Sequence, residues 1–595
     1  MWKLRGVVCA ALAALLAMMP AIAERANSSP RAARAADRAA AWDALVDEFF
    51  DQAYFKFRAT EGTNDGFHQY DSILEDYSRA EVDRQIEALR QFEKRISAFD
   101  PRGLDETRAG DREIVLGTIR GELLTLEVIR PWENNPDIYS SGISRSAFAI
   151  MSRRFAPPDE RLKRLVAREK QMPAVFAEAR QNLKNPPKIY TEIALEQIPA
   201  IIEFFEKDVP AAFADATDPA IKAEFAQSNA AVMAALRSYG QWMTSDLLPQ
   251  SHGDFRIGAE TFSRKLLYDE MVDTPLDHLL EIGLANLHKN QAEFTRIAKE
   301  VDPNKTPRQV LEMLYKIHPA PDQLLQAFRD TFNGLIAFIQ EKHIITLPSD
   351  LQPILEETPP FERATTFASM DTPGPYEKVA TEAYFNVTLP GPHDSAEEIE
   401  GRMAEFNRGT IVSTSVHEAY PGHFVQFLWV PQAPTKVRKL LGASTNAEGW
   451  AHYCEQMMLD EGYGQPGAGA KDAADARWVR LGQLQDALLR NARFIVGIQM
   501  HRGKMTFDQA VDYFVKEGYQ SAQGALVETK RGTADPTYLY YTLGKLEILK
   551  LREDVKKKLG AAFSLQKFHD DFMKQGFPPI PIVRRAMLGD NSPAL

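Results

Sequence analysis

The chain has little cysteine, fewer basic than acidic residues, and no long apolar run after its N-terminus. Its two cysteines are Cys9 and Cys454, and 70 lysines and arginines stand against 82 aspartates and glutamates, a formal net charge of -12. The acidic balance argues against nucleic acid as a partner, because nucleic acids bind basic surfaces. Without a later run of about 20 apolar residues, we expect no stable membrane span. Composition leaves the oligomeric state unknown.

The first residues are typical of a secretory signal peptide. Lys3 and Arg5 precede an uncharged apolar segment over residues 6–19, and Ala21-Ile22-Ala23 matches a small-x-small cleavage site. Cleavage would leave a periplasmic or secreted protein with one cysteine, which excludes an internal disulfide. We therefore predict three parts: a signal peptide over residues 1–23, a flexible leader over 24–40 and a single domain over 41–595.

Helical periodicity dominates the rest of the chain. Apolar residues recur at helical spacing over long segments, such as 80–98, 159–185 and 475–499. One segment differs, because residues 382–389 are rich in β-branched and aromatic side chains and predict a strand. We expect a mainly α fold, a large helical two-lobed cleft architecture with a small β element before residue 417. The strand would either bind extended substrate by backbone pairing or belong to an ordinary small sheet.

Two short motifs carry most of the chemical information. The first is His417-Glu418-Ala419-Tyr420-Pro421-Gly422-His423, and the second is Glu448-Gly449-Trp450-Ala451-His452-Tyr453-Cys454-Glu455. The first resembles a His-Glu-x-x-His zinc signature stretched by two residues. In an unbroken helix, side chains six residues apart point about 120° away from each other. Pro421 and Gly422 can distort the helix, and a bulge or a distorted turn there would bring both histidines to one metal ion.

These residue types predict a Zn²⁺ site with an open position for water. Its expected protein ligands are His417, His423 and Glu448. Glu418 is expected to be the general base, which takes a proton from water and hands it to the leaving amine. Glu455 would orient a ligand histidine, and the reverse assignment of Glu448 and Glu455 stays open. His452 is a further partner of this kind, a substrate contact or a histidine on the helix surface.

The motifs, with two later segments, resemble the bacterial family named domain of unknown function 885. The later segments are Tyr541-Thr542-Leu543-Gly544-Lys545-Leu546-Glu547-Ile548 and Lys567-Phe568-His569-Asp570. The resemblance extends over residues 40–590. It implies a gluzincin-like zinc metallopeptidase, similar in shape to the helical-cleft peptidases of the angiotensin-converting-enzyme and oligopeptidase types. Many members carry an Asp where this chain has Gly497, whereas His501 shortly after it matches the family pattern.

A peptidase also needs a donor for the negative oxygen that develops on the substrate carbonyl. Tyr541 is the first candidate, His501 the second and Tyr540 the third, so the predicted catalytic residues are Glu418, Tyr541 and His501. Three arginines can each bind a substrate carboxylate or an internal acid: Arg490, Arg493 and Arg552. We expect an exported zinc peptidase that hydrolyses short or unfolded peptides. Two alternatives stay open, a peptide-binding protein without turnover and a zinc hydrolase of a non-peptide amide or ester.

Overall fold

The computed structural model describes residues 30–358, 367–391 and 394–595. The predicted signal peptide and the leader before residue 30 lie outside the described residues, whereas residues 30–40 of the predicted leader belong to the first helix. Helices make up most of the described chain, and only short strands interrupt them, so the expected mainly α fold with a small β element is confirmed. Among these residues, no helix combines the length and apolar character that crossing a membrane requires.

The helices before the small sheet follow one another with short connections. In chain order they are α1 Pro30–Phe49, α2 Ala59–Asn64, α3 Arg79–Ala98, α4 Glu106–Leu124, α5 Pro131–Asn134, α6 Asp137–Met151, α7 Pro158–Glu169, α8 Met172–Asn182, α9 Lys188–Glu203, α10 Val209–Ala212, α11 Pro219–Trp242, α12 Gly258–Glu270, α13 Leu276–Val301, α14 Pro307–Leu314 and α15 Leu324–Lys342. The single helix predicted over 159–185 is wrong, because α7 ends at Glu169 and α8 begins beside Pro173. Proline lacks an amide hydrogen and favours the first turn of a new helix.

The small sheet precedes the histidine motif, as predicted. Its strands are β1 Ile354–Glu357, β2 Ala368–Asp371 and β3 Tyr384–Val387, in the order β1-β3-β2. The strand predicted over 382–389 is confirmed as β3, which lies in the centre, parallel to β1 and antiparallel to β2. Both edges of β3 are therefore occupied, so this strand itself has no free edge for an extended substrate.

The second half returns to helices. They are α16 Ala396–Glu405, α17 Arg408–Thr414, α18 His423–Trp429, α19 Lys436–Leu440, α20 Ser444–Asp460, α21 Ala473–His501, α22 Phe507–Lys516, α23 Ala522–Ala534, α24 Tyr540–Leu559, α25 Leu565–Met573 and α26 Ile580–Leu588. Two short strands, β4 Gln465–Pro466 and β5 Gly469–Ala470, lie between α20 and α21.

Three of these helices, α20, α21 and α24, position the candidate site. α20 packs along α24, and α21 packs against α13 and α17. The start of α20 is capped by Glu270 at the end of α12, which accepts hydrogen bonds from the Ser444 amide at 3.1 Å and the Thr445 amide at 2.9 Å. Because the first amides of a helix have no intrahelical partner, this carboxylate stabilises the start of the helix that carries Glu448.

Candidate metal centre

The segment that carries the two histidines is not a continuous helix. α17 continues into a π-helical turn, Ser415–Ala419, and α18 begins at His423. Between them, Gly422 passes so close to the turn that a Cβ atom would lie 1.8 Å from the His417 carbonyl oxygen, and only glycine avoids this clash. The two imidazole rings meet with their centroids 4.9 Å apart. The distortion predicted at Pro421 and Gly422 is present, as a break between helices rather than a bulge within one.

Glu448 joins the two histidines in a cluster of three potential ligands. One ligand atom from each residue lies within 4.8 Å of the others. Oε2 of Glu448 is 3.3 Å from Nε2 of His417 and 3.3 Å from Nε2 of His423. This oxygen is buried and accepts no hydrogen bond from the described residues. Two imidazole nitrogens facing a buried carboxylate oxygen without a partner fit a bound Zn²⁺ ion, which takes nitrogen and carboxylate ligands.

The charges in this cluster reinforce one another. Burial works against a charged His417, but the neighbouring Glu448 and Glu455 carboxylates outweigh it and raise the pKa of the imidazole to about 9. Burial would also raise the pKa of Glu448, yet the neighbouring His423 and His417 hold it well below its usual value. Positive charge is therefore favourable within this cluster, and a metal ion in place of the proton would supply it.

A second layer of polar side chains lies behind His417. Its Nδ1 donates a hydrogen bond of 2.7 Å to Oε1 of Glu455, which also receives Arg490 Nη2 at 3.0 Å. His452 Nδ1 donates to the other oxygen at 3.0 Å. Burial alone would raise the pKa of Glu455, and the Arg490 guanidinium with the two histidines outweighs it and lowers the pKa below its usual range. The geometry thus favours Glu448 as ligand and Glu455 as the residue that orients His417.

The Glu455→Gln substitution is expected to weaken zinc binding by about 10- to 100-fold, the usual cost of losing such an orienting partner. It also removes the carboxylate charge that faces the buried Arg490, so we expect a lower midpoint of thermal unfolding. Competition with a chromophoric chelator measures the first effect, and calorimetry measures the second. Glu461→Gln, at the exposed end of the same helix, is the control. Equal zinc affinity in both variants would contradict the assigned role of Glu455.

Tyr541 reaches the cluster because α20 and α24 touch. A Cβ atom on Gly449 would lie 2.6 Å from the Cα atom of Gly544, so the two helices meet at a pair of glycines. This contact brings the Tyr541 hydroxyl next to Glu448, where it donates to Oε1 at 3.2 Å. Burial and the Glu448 charge raise the pKa of Tyr541, so the phenol keeps its proton and can donate it.

Glu418 lies beside this cluster in the same π-helical turn as His417. Its side chain is half-buried and makes no hydrogen bond or ion pair with another described residue. A carboxylate without an internal partner, next in sequence to a candidate ligand, is free to accept a proton from a water molecule.

Other predicted residues lie elsewhere. His501 is buried at the end of α21, where Nε2 binds the Gly532 carbonyl oxygen at 2.8 Å and Nδ1 faces the Ile257 amide at 3.4 Å. These backbone contacts place it in no direct contact with the three candidate ligands among the described residues. Tyr540 directly precedes Tyr541 in the sequence, but its hydroxyl donates to Asp535 at 2.9 Å. Arg552 donates to the Tyr453 hydroxyl at 3.2 Å, about three turns further along α24 than Tyr541.

Two further features lie near the cluster. A cavity of about 350 Å³ reaches Tyr540 and Ser444, one helical turn before Glu448, and its charged lining is mainly acidic: Glu113, Glu122, Asp269, Glu270, Asp535 and Lys265. Strand β2 packs beside the Ser415–Ala419 turn and pairs only with β3 within the described ranges, so its outer edge faces away from the sheet.

Two solved structures are similar over nearly the whole chain. One is described as "a putative lipoprotein of unknown function" from Shewanella oneidensis, with 26% identity, a TM-score of 0.75, and 92% of this chain and 98% of that chain covered. The other is "the putative lipoprotein from Colwellia psychrerythraea", with 18% identity, a TM-score of 0.77 and the same two coverages. No curated protein matches. A family model described as bacterial protein of unknown function (DUF885) matches residues 60–587.

Proposed function

The chain belongs to the DUF885 family of bacterial proteins of unknown function, and we propose that it is an exported zinc-dependent peptidase of the gluzincin type. One observation carries the proposal. The histidines His417 and His423 converge on a buried oxygen of Glu448 that accepts no hydrogen bond, with the free carboxylate of Glu418 beside them. Two histidines and a glutamate as ligands, with an adjacent glutamate as base, are the groups that a zinc hydrolase uses.

The residues divide the chemistry between them. Zn²⁺ held by His417, His423 and Glu448 would supply Lewis-acid polarisation of the substrate carbonyl and a lowered pKa for water. Glu418 takes a proton from the attacking water and delivers it to the departing amine. Tyr541 turns its hydroxyl from Glu448 Oε1 towards the oxygen on which negative charge develops. Glu455 and Arg490 keep the imidazole of His417 in one orientation and one tautomer.

A peptide is the substrate that the surroundings of the site favour. Strand β2 packs against the turn that carries Glu418 and pairs only with β3 among the described residues. A strand edge without a partner strand offers unpaired amide and carbonyl groups to an extended peptide. The backbone pairing with an extended substrate that was considered for β3 is therefore proposed for the neighbouring strand β2. Export agrees with this substrate, because a signal peptide is expected over residues 1–23 and both similar structures are described as lipoproteins. We place the protein outside the cytoplasm, in the periplasm or secreted, and either soluble or lipid-anchored.

A peptide library with mass-spectrometric detection tests the proposal. The purified mature chain with one equivalent of Zn²⁺ is expected to cleave short peptides, to lose cleavage on treatment with a zinc chelator and to regain it when Zn²⁺ is added back. Stoichiometric zinc without cleavage of any peptide would overturn the peptidase proposal and favour a non-peptide amide or ester. Cleavage that survives complete removal of the metal would also overturn it.

A further inference from the structure

Three guanidinium groups surround the ring of Tyr541. Their Cζ atoms lie 5.5, 4.9 and 5.8 Å from the ring centroid for Arg490, Arg493 and Arg531, respectively. So much positive charge beside one candidate catalytic hydroxyl stands out in a chain whose net charge is negative. The positive charge of these guanidinium groups favours negatively charged groups on this side of the site.

Two of these arginines are already committed to internal acids. Arg490 pairs with Glu455 at 3.0 Å and is mostly buried. Arg493 binds Glu528 through both Nε and Nη2, each at 2.7 Å, and its side chain is only 9% exposed. In this buried, bidentate pair the charge of the Arg493 guanidinium is already balanced by Glu528, so little of it is left to attract a substrate carboxylate. The interpretation of Arg493 as an internal ion pair therefore applies.

Arg531, in the last turn of α23, differs from both. Its side chain is 38% exposed, and all its hydrogen bonds to described residues come from Nη2. They reach Tyr541 at 3.2 Å, Tyr540 at 3.4 Å and Asp535 at 3.4 Å. Since a guanidinium has five N–H groups, the donors on Nε and Nη1 are left for a ligand.

The position of Arg531 relative to the candidate metal ligands determines how far a bound peptide can extend beyond its reacting carbonyl. Arg531 donates to the Tyr541 hydroxyl at 3.2 Å, and Tyr541 donates to Glu448 at 3.2 Å. In an extended peptide, the terminal carboxylate lies one residue, about 3.5 Å, beyond the preceding carbonyl. A substrate whose reacting carbonyl lies beside the Tyr541 hydroxyl thus brings a terminal carboxylate to the free face of Arg531.

We propose that Arg531 binds the C-terminal carboxylate of the peptide, so that the chain removes residues from the C-terminal end. This inference rests on the proposed peptidase function and names its substrate class. The rival recognition element is the acidic cavity that ends at Asp535 and Tyr540, which would attract a free amino terminus instead. The two differ in which end of the peptide must be unblocked.

Matched peptides separate these possibilities without any mutation. We expect the zinc-loaded wild-type chain to cleave N-acetylated tetrapeptides with a free carboxylate at least 10-fold more efficiently, by kcat/KM, than the same peptides as C-terminal amides. Arg531→Met is expected to lower kcat/KM for the free acids about 10- to 100-fold more than for the amides, mainly through KM. Arg531→Lys restores part of the loss. Lys530→Met, which removes the neighbouring exposed charge that pairs with Glu196, is the matched control.

Each contrary outcome has a distinct meaning. Equal cleavage of acids and amides by the wild-type chain would overturn the inference and leave the peptidase function standing. Loss of cleavage on N-acetylation, with acids and amides equal, would overturn it in favour of the acidic cavity. An equal fall in kcat for both substrates in Arg531→Met would mean that Arg531 acts only through Tyr541. Failure to cleave any peptide would contradict the proposed function itself.

Discussion

Glu418→Gln is expected to lower peptide cleavage by about 100- to 10,000-fold while zinc stays bound, because the amide cannot accept the proton of the attacking water. The glutamate is half-buried in the Ser415–Ala419 turn and has no partner among the described residues, so its replacement removes no internal hydrogen bond. The measurement pairs kcat/KM on a cleaved peptide with metal analysis of the same sample.

The matched control for this variant is Glu397→Gln. Glu397 is an exposed glutamate in the first turn of α16, so its loss of charge is equal and its position is remote from the candidate ligands. The control should retain wild-type activity. Full activity in Glu418→Gln would contradict the role of Glu418 as general base, even if the zinc site itself is present.

His423→Ala should have the largest effect on metal binding. It removes one of three candidate ligands and leaves Glu448 Oε2 facing a single imidazole. We expect zinc affinity to fall by more than about 100-fold. This loss exceeds the one expected for Glu455→Gln, which removes only a residue that orients a ligand. Activity should fall with it. Competition with a chelating dye, followed by metal analysis after gel filtration, measures the change.

His278→Ala is the control for the ligand variant, because His278 is an exposed histidine on α13 that only pairs with Glu281. Its zinc affinity should equal that of the wild-type chain. The His423 side chain is 15% exposed, so the alanine variant leaves a small cavity and the fold should persist. Unchanged zinc affinity in a folded His423→Ala variant would show that the metal binds elsewhere.

Local patterns predicted much of the fold and the composition of the site. The apolar period over 80–98 corresponds to α3, Arg79–Ala98, and the aromatic and β-branched run over 382–389 corresponds to β3. Both predictions succeed because burial of one face sets the spacing of the apolar residues and also stabilises the helix or strand. The motif residues His417, His423 and Glu448 do come together in the structure.

Glycines in the motifs mark where two helices come close together. Gly449 stands next to Glu448 in the sequence, and in the structure it packs against Gly544 of the Tyr541-x-x-Gly544 pattern. That contact brings the Tyr541 hydroxyl to Glu448. A glycine beside a reactive residue type is informative because it marks where backbones touch, although the sequence does not say which backbone.

Contacts between distant segments could not be predicted from the sequence. Arg531 comes from α23 and Arg490 from α21, and no spacing rule links either to Glu448 or Glu455 on α20. The residue types of Pro421 and Gly422 predicted a distortion, but the path by which one helical segment ends at Ala419 and the next begins at His423 depends on the folded turn. The site of His501 is likewise decided by two backbone groups, those of Gly532 and Ile257, that meet it only in the folded chain.

The central claim is that His417, His423 and Glu448 form one zinc site. The most direct measurement is an anomalous-difference map at the zinc absorption edge, from crystals of the mature chain grown with one equivalent of Zn²⁺. The account predicts a single strong peak bounded by the Nε2 atoms of both histidines and the Glu448 carboxylate. No peak there in crystals supplied with zinc, or a peak bound only by other residues, would contradict it.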